Sequence, residues 1–273
     1  QDTLTLFNGT NILTVHNTET IIGGIGNDTI TVANSRDDID APIIPGNIDL
    51  GAGNDTLILH GSNIITVNNV ENIIGTIGDN TVTLVEAVSN INVDLGSGSN
   101  YLHLASGINS LNVSNTGVIY VDVYDSSFDN DLILTNSQNN TSIIMFGDHN
   151  TLTLADGGNL VSVSRVAKVT GGTGDDTVLG IEGGIVDLGL GNDYVGLAYD
   201  STLVYLTAIG VERIFGGNPS NNITLVLNNS QMNTAIDLGS IYDSDTLILN
   251  GVGNTVTVSN IETIIGSTGN DTI

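Results

Sequence analysis

Aspartates that follow closely spaced glycines are the residues of this chain best suited to do chemistry. The clearest example is Gly23–Thr31, where Gly-Gly-Ile-Gly-Asn-Asp is followed by alternating apolar residues. Glycine accepts positive φ and leaves its carbonyl unshielded, so such a turn can direct several backbone oxygens and one carboxylate toward a common point. An irregular set of oxygens suits Ca²⁺ better than Mg²⁺, which prefers a strict octahedron and retains water. The motif therefore predicts a calcium site that is completed when a second turn stacks on the first.

Copies of this turn recur along the chain and define the candidate ligands. Close copies begin at Gly51, Gly171, Gly189 and Gly266, and eroded copies begin at Gly75, Gly96 and Gly147. The predicted metal ligands are Asp28, Asp55, Asp176, Asp193, Asp245, Asp271, Asn80, Gly24, Gly26, Gly51, Gly53, Gly172, Gly174, Gly189 and Gly191. A purely structural role, in which these Asx residues only stabilise turns, stays open and is more plausible where asparagine replaces aspartate.

The turns resemble the RTX, or haemolysin-type, calcium-binding repeats, whose nonapeptide G-G-x-G-x-D-x-U-x (U apolar) forms a calcium-dependent parallel β-roll. The match is closest from Gly171 to Leu197, which is GGTGDDTVL, GIEGGIVDL and GLGNDYVGL. Two motif turns stand eighteen residues apart there, which is one coil of that family. The resemblance implies a bacterial protein that a type I system exports and that folds outside the cell, where calcium is abundant.

Composition favours stacked strands and excludes some partners. Among 273 residues, four Lys plus Arg stand against thirty Asp plus Glu, which gives a net charge of −26. Val, Ile, Leu, Thr, Asn, Asp and Gly carry most of the sequence, as expected for strands joined by Asx-rich turns. No nucleic-acid partner is expected, because phosphate contacts depend on Lys and Arg. Bound divalent cations would relieve the self-repulsion of so acidic a chain.

The sequence lacks the features expected of disulfides, membrane spans and catalysis. The chain has no Cys, which leaves metal ions as the obvious cross-link for an extracellular bacterial protein. No apolar run reaches eighteen residues, so no membrane span is predicted. The four histidines each stand alone in polar surroundings, and no mixed cluster of acidic and basic groups occurs, so an enzyme is not expected.

A long-range repeat indicates a tandem array. Asp2–Ile30 aligns without gaps to Asp245–Ile273 at an offset of 243 residues, so residues 1–30 resemble 244–273. The sequence also opens and closes in the middle of the pattern. We therefore expect residues 1–273 to be a single β-solenoid and a fragment of a longer array. Neighbouring blocks or self-association would cover its open ends.

The predicted fold is an all-β, right-handed parallel β-solenoid (β-roll or β-helix) of about eleven uneven rungs without helices. Alternation places Ile30, Leu57 and Leu59 inward. Three apolar runs, Thr56–Leu59, Ile64–Val67 and Glu71–Ile74, suggest three strands per coil. Residues 33–46 and 124–142 are expected to form irregular insertions.

Two further series of polar residues have predicted roles. The amides of Asn11, Asn63, Asn109, Asn159 and Asn254 are expected to form hydrogen bonds between rungs, with a partner such as Asn90 or Asn233 from the intervening coil. The alternative is that one coil spans two turns. The glutamates Glu19, Glu71, Glu212 and Glu262 are expected to form a solvated column.

The sequence thus indicates a calcium-stabilised extracellular structural segment of a bacterial surface layer, adhesin stalk or filament. The alternative is an ice- or glycan-binding RTX adhesin module that binds its surface ligand through outward threonines. The candidates for that array are Thr3, Thr29, Thr31, Thr56 and Thr81.

Overall fold

The computed structural model describes residues 2–33, 46–121, 129–146, 149–199, 203–216, 222–239 and 244–273. All regular structure in these residues is β-strand, which confirms the predicted all-β class. The loop predicted at 33–46 lies outside the described residues except for its two ends. Residues 124–128 of the predicted insertion 124–142 also lie outside them, and most of its remainder forms strands.

The chain divides into two compact units, Gln1–Thr135 and Asn136–Ile273. The strands described in the first unit are β1 (Thr3–Thr5), β2 (Ile12–Val15), β3 (Thr20–Ile25), β4 (Thr29–Ala33), β5 (Gly46–Ala52), β6 (Thr56–His60), β7 (Asn63–Asn68), β8 (Asn72–Gly75), β9 (Asn80–Leu84), β10 (Ser89–Asp94), β11 (Tyr101–Leu104), β12 (Ile108–Ser114), β13 (Val118–Val121) and β14 (Asp131–Leu134). Those of the second unit are β15 (Asn139–Met145), β16 (Thr151–Thr153), β17 (Leu160–Ser164), β18 (Lys168–Thr173), β19 (Thr177–Ile181), β20 (Gly184–Leu190), β21 (Tyr194–Leu197), β22 (Leu203–Ile209), β23 (Arg213–Phe215), β24 (Asn222–Leu227), β25 (Met232–Asp237), β26 (Thr246–Leu249), β27 (Thr255–Ser259) and β28 (Thr263–Ile265).

Strands pair in parallel with the strand two positions further along the chain. In each unit the odd-numbered strands therefore form one sheet, the odd sheet, and the even-numbered strands form the even sheet. The chain turns at an odd-to-even edge and then at an even-to-odd edge, named for the direction in which it passes between the sheets. This arrangement confirms the predicted parallel β-solenoid.

Each coil contains two strands, so the prediction of three strands per coil is wrong. The three runs from which it was made are indeed strands, namely β6, β7 and β8. However, Leu57 of β6 pairs directly with Ile73 of β8, so β8 already belongs to the next coil. The glycine turns recur at intervals of about one and a half coils in this stretch, and their spacing therefore overstates the length of a coil.

Coil lengths are uneven, as predicted. The tight coils span 17 residues, as in the pairing of Val178 with Val195. A longer coil separates Ile30 from its partner Leu57.

Alternating side chains fill the space between the two sheets. Ile30, Leu57 and Leu59 are fully buried, as predicted, while Thr29 and Thr31 are only partly buried on the other face of β4. Burying each such aliphatic side chain contributes about 1.5–3 kcal/mol. This aliphatic core fixes the register of the coils and so stacks the turns at their edges.

Glycine is required where successive turns touch. Gly51 has a φ of +85°, and a Cβ added to it would lie 2.3 Å from the carbonyl oxygen of Gly24 in the preceding coil. A Cβ added to Gly53 would lie 2.1 Å from the carbonyl oxygen of Gly26. Side chains at these positions would force the turns apart.

Candidate metal centre

The predicted ligands lie at both edges of the coils and do not form a single column. Asp28, Asp55 and Asp245, with Gly24, Gly26, Gly51 and Gly53, lie at or next to the odd-to-even edge. Asn80, Asp176, Asp193 and Asp271, with Gly172, Gly174, Gly189 and Gly191, lie at or next to the even-to-odd edge. The turns change edge because their spacing is not a whole number of coils. Consecutive coils nevertheless bring Asp28 beside Asp55, and Asp176 beside Asp193.

A run of side chains that we name the first acid ladder links four coils of the first unit. Its members are Asn11, Asp28, Asp55 and Glu71. The Asn11 N–H donates to Asp28 Oδ1 (2.8 Å), and the Asp28 N–H donates to Asp55 Oδ1 (2.7 Å). The Asp55 N–H then donates to Glu71 Oε2 (2.7 Å). Each carboxylate therefore satisfies a backbone donor of the preceding coil.

The second acid ladder has the same composition and order in the second unit. Its members are Asn159, Asp176, Asp193 and Glu212. Their N–H to side-chain oxygen distances are 2.9, 2.8 and 2.7 Å, in the order given. Shorter pieces of the same pattern join Asp245 to Glu262 (2.8 Å) and Asn254 to Asp271 (2.9 Å).

Three glutamates make ladder contacts that the predicted solvated column did not include, although Glu262 is exposed as predicted. Glu71, Glu212 and Glu262 each accept the backbone N–H of the aspartate one coil earlier. A signal was present in the sequence, because each glutamate follows that aspartate by 16 to 19 residues, close to one coil. Recognising it requires the length of the coil, which the glycine turns overstate.

Asparagines form equivalent ladders elsewhere, and we name Asn63, Asn80 and Asn100 the amide ladder. Asn63 Nδ2 donates to Asn80 Oδ1 (3.1 Å), and the Asn80 N–H donates to Asn100 Oδ1 (2.9 Å). The predicted amide bonds between rungs are confirmed for four asparagines, whose Nδ2 groups donate to Oδ1 of an Asx residue one coil later: Asn11 to Asp28, Asn63 to Asn80, Asn159 to Asp176 and Asn254 to Asp271. The partner comes from the next coil, as expected, but it is the Asx residue of the glycine turn instead of Asn90 or Asn233.

Four aspartates of the acid ladders keep one oxygen without a hydrogen-bond partner. Asp28, Asp55, Asp176 and Asp193 are each at most 1% exposed, and in all four the Oδ2 atom is buried and accepts no hydrogen bond. An ionised carboxylate buried without compensation is costly, so such a group either takes up a proton or binds a cation.

Burial and neighbouring acids raise the pKa values of Asp55, Asp176 and Asp193. Burial raises the pKa of Asp193 to about 6, and the charges of Asp176 and Glu212 add to the rise. Burial likewise raises the pKa of Asp176 and, together with the charges of Glu71 and Asp28, that of Asp55. The ionised form of these three aspartates is therefore less stable than that of an ordinary aspartate.

Asp271 shows how a fully hydrogen-bonded carboxylate differs. Its Oδ1 accepts the Asn254 N–H, and its Oδ2 accepts the Ser267 N–H at 2.7 Å. These bonds, with that from Asn254 the largest contributor, lower the pKa of Asp271. By contrast, the Oδ2 atoms of the four buried aspartates still lack a partner.

The hydrogen bonds of the asparagines indicate which turn oxygens would bind a cation together with the aspartate Oδ2. Asn159 Nδ2 donates to the carbonyl oxygens of Ala155 (2.9 Å) and Gly157 (2.8 Å), four and two residues earlier. Asn11 Nδ2 donates to the corresponding carbonyls of Phe7 (2.9 Å) and Gly9 (2.8 Å). An aspartate at the same position has no donor to offer these carbonyls.

At the four buried aspartates, the carbonyls four and two residues earlier belong to the eight glycines predicted as ligands. They are Gly24 and Gly26 for Asp28, Gly51 and Gly53 for Asp55, Gly172 and Gly174 for Asp176, and Gly189 and Gly191 for Asp193. A carboxylate oxygen with two carbonyls per turn is a donor set that fits Ca²⁺. In the described part of the chain, no three His, Cys, Asp or Glu side chains cluster closely enough to hold a metal, so backbone oxygens would have to contribute.

Comparisons with protein-family models, with curated proteins and with solved structures find no match to this chain. No helix long and apolar enough to cross a membrane occurs among the residues described. The fold and the ladders define the chain as a parallel β-solenoid whose coils are joined at their edges by carboxylates and amides.

Proposed function

We propose that this chain is a calcium-stabilised structural segment of an extracellular bacterial protein, such as a surface layer, an adhesin stalk or a filament. The observation that carries the proposal is the set of four buried Oδ2 atoms without partners, in a chain whose net charge is −26. A divalent cation at these positions would neutralise two consecutive carboxylates and engage the turn carbonyls.

The residues that would hold the cation are the two stacked pairs and their glycines. Asp28 and Asp55 form one pair, and Asp176 and Asp193 form the other. Ca²⁺, when bound, would supply the positive charge that the ladders lack. The chain itself holds each pair in place through the N–H bonds of the preceding coil and through the close contact of glycine turns.

The extracellular setting is supported by the RTX resemblance and by the physics of the charge. Calcium that binds the folded state but not the unfolded state stabilises it by mass action. Where calcium is scarce, repulsion among the acids would oppose folding. Export of an unfolded chain by a type I system and folding outside the cell are consistent with this dependence.

Chelation tests the proposal directly. The purified chain in excess EGTA should lose part of its β-type circular dichroism, and added Ca²⁺ should restore it. Mg²⁺ at the same concentration is the control and should restore much less. An unchanged spectrum and an unchanged melting temperature in EGTA would refute the proposal.

A second candidate function, glycan binding, is favoured by one groove of the second unit. The groove encloses about 410 Å³ on the outer face of the odd sheet, and its lining includes Tyr194, Arg213, Phe215, Ala235 and Asp237. The Arg213 guanidinium lies 5.7 Å from the centre of the Tyr194 ring, and Phe215 is exposed. Aromatic faces beside groups that donate and accept hydrogen bonds suit a sugar ring with its hydroxyls.

Saccharide binding at this groove is testable by ligand-observed NMR against neutral and acidic oligosaccharides. Phe215→Ala should abolish any saturation transfer seen with the wild-type chain, whereas Phe7→Ala, which removes an exposed ring elsewhere, should leave it unchanged. Absence of binding by the wild-type chain, or equal binding by Phe215→Ala, would reject the groove.

A further inference from the structure

The first acid ladder and the amide ladder lie in stretches of the first unit that overlap only between Asn63 and Glu71. The first acid ladder joins coils between Asn11 and Glu71, whereas the amide ladder joins coils between Asn63 and Asn100. A second run of amides continues from Val88, whose N–H donates to Asn109 Oδ1 (3.1 Å). From Asn80 onward the described coils of this unit are therefore held by asparagine where the earlier coils are held by aspartate.

The asparagines of the amide ladder provide both a donor and an acceptor. Asn80 Nδ2 donates to the carbonyls of Gly78 (3.2 Å) and Leu95 (3.3 Å), while its Oδ1 accepts from Asn63. Asn100 Nδ2 donates to the carbonyls of Gly96 and Asn115, both at 3.0 Å. The amide thus accepts a hydrogen bond from the preceding coil and satisfies backbone carbonyls, which would otherwise need a carboxylate and a cation together. It does so without net charge.

The same stretch carries little charge. Residues 80–121 contain two acidic residues, Glu86 and Asp94, and both are exposed. Neither is stacked in a ladder of buried carboxylates. Like-charge repulsion, which burdens the acid ladders, is therefore weak here.

We propose that calcium dependence is local, so that coils joined by acid ladders open when calcium is removed while coils joined by the amide ladder stay folded. This inference rests on the proposed function. In a solenoid each coil contacts only its neighbours, so stability is set coil by coil and one stretch can open without the rest. Residues 80–121 would then remain as a folded, metal-independent segment of a partly opened chain.

Hydrogen exchange of the full chain measures this directly, in calcium and in excess EGTA. On chelation, amides of β4, β6, β19 and β21 should exchange at least about tenfold faster, while those of β9, β11 and β12 should keep their protection. Equal acceleration in all these strands would overturn the inference and leave the calcium proposal standing. No acceleration in any strand would overturn both.

Replacing asparagine by aspartate in the amide ladder tests whether the type of side chain determines the calcium dependence. The double variant Asn80→Asp/Asn100→Asp places two carboxylates in consecutive coils, and it should make the protection of β9 and β11 depend on calcium. Asn112→Asp, which adds a carboxylate at an exposed position of the same stretch, is the control and should leave protection independent of calcium. Protection in EGTA that is unchanged in the double variant would contradict the inference.

The opposite exchange guards against a variant that simply fails to fold. Asp28→Asn/Asp55→Asn turns the first acid ladder into amides, and β4 and β6 should then keep their protection in EGTA. Loss of protection on chelation equal to that of the wild-type chain would also contradict the inference.

Discussion

At the scale of single residues, the structure turns on the difference between a carboxylate and an amide of the same shape. Either side chain accepts the backbone N–H of the preceding coil through Oδ1, as Asp193 and Asn100 both do. Only the amide can also donate to the turn carbonyls. Aspartate therefore leaves a buried negative charge without compensation, and asparagine does not.

Replacing one aspartate should accordingly have opposite effects with and without calcium. Asp193→Asn keeps the acceptor for the Asp176 N–H and removes a buried charge, so we expect it to stabilise the metal-free chain by about 1–3 kcal/mol. It should also lower the stabilisation gained from calcium. Urea unfolding with EGTA and with Ca²⁺ measures both effects. Glu86→Gln is the control, because Glu86 is an exposed acid outside the ladders.

The raised pKa of Asp193 predicts the direction of a pH effect. Its folded-state pKa of about 6 exceeds the ordinary value of 3.8, so between these values the folded chain binds more protons than the unfolded chain. Stability from this group is present at low pH and is lost as the pH rises toward 6. The metal-free chain should gain on the order of 2 kcal/mol between pH 7 and pH 4.

Urea unfolding of the metal-stripped chain at pH 7, 5 and 4 checks this. The gain should shrink in Asp193→Asn, which cannot titrate at that position. A wild-type chain whose stability is constant or falls on acidification would contradict the assignment.

At the scale of strands and turns, glycine decides how closely successive coils approach. Gly51 and Gly61 have similar φ values, +85° and +81°, so alanine is strained equally at both. An added Cβ meets the Gly24 carbonyl oxygen at 2.3 Å in one case and open space in the other. Gly51→Ala should therefore lower the free energy of unfolding by at least about 2 kcal/mol more than Gly61→Ala. Urea unfolding of both variants in calcium gives the comparison, and equal losses would contradict it.

The strands and their inward faces were predictable from the sequence, because alternation and Asx-Gly turns are local signals. Leu57 and Leu59 face the core as expected, and β6, β7 and β8 begin within a residue of the runs that predicted them. The assignment of these strands to coils was not predictable in the same way. Whether β8 pairs with β6 depends on a register set by the whole stack, and the glycine turns suggested a longer coil.

The candidate site was predictable in part for the same reason. The aspartates and glycines follow from the motif, but the roles of Glu71 and Glu212 emerge only when residues one coil apart are placed together. The distinction between self-sufficient asparagines and orphaned aspartates likewise depends on hydrogen bonds, which spacing alone does not give.

At the scale of the whole molecule, the long-range repeat is reproduced in the bonds of the structure. The link from Asp2 to Glu19 recurs from Asp245 to Glu262, and the link from Asn11 to Asp28 recurs from Asn254 to Asp271. A similar sequence thus makes the same ladder contacts 243 residues later. A tandem array built of this block would repeat its acid ladders, and with them its demand for cations.

Equilibrium dialysis with radioactive Ca²⁺ measures calcium binding by the acid ladders. The wild-type chain should bind calcium at millimolar free concentration. The quadruple variant Asp28→Asn/Asp55→Asn/Asp176→Asn/Asp193→Asn should lose most of that binding while circular dichroism shows it folded in EGTA. A wild-type chain that binds no calcium, or a folded quadruple variant that binds as much as the wild type, would contradict the account.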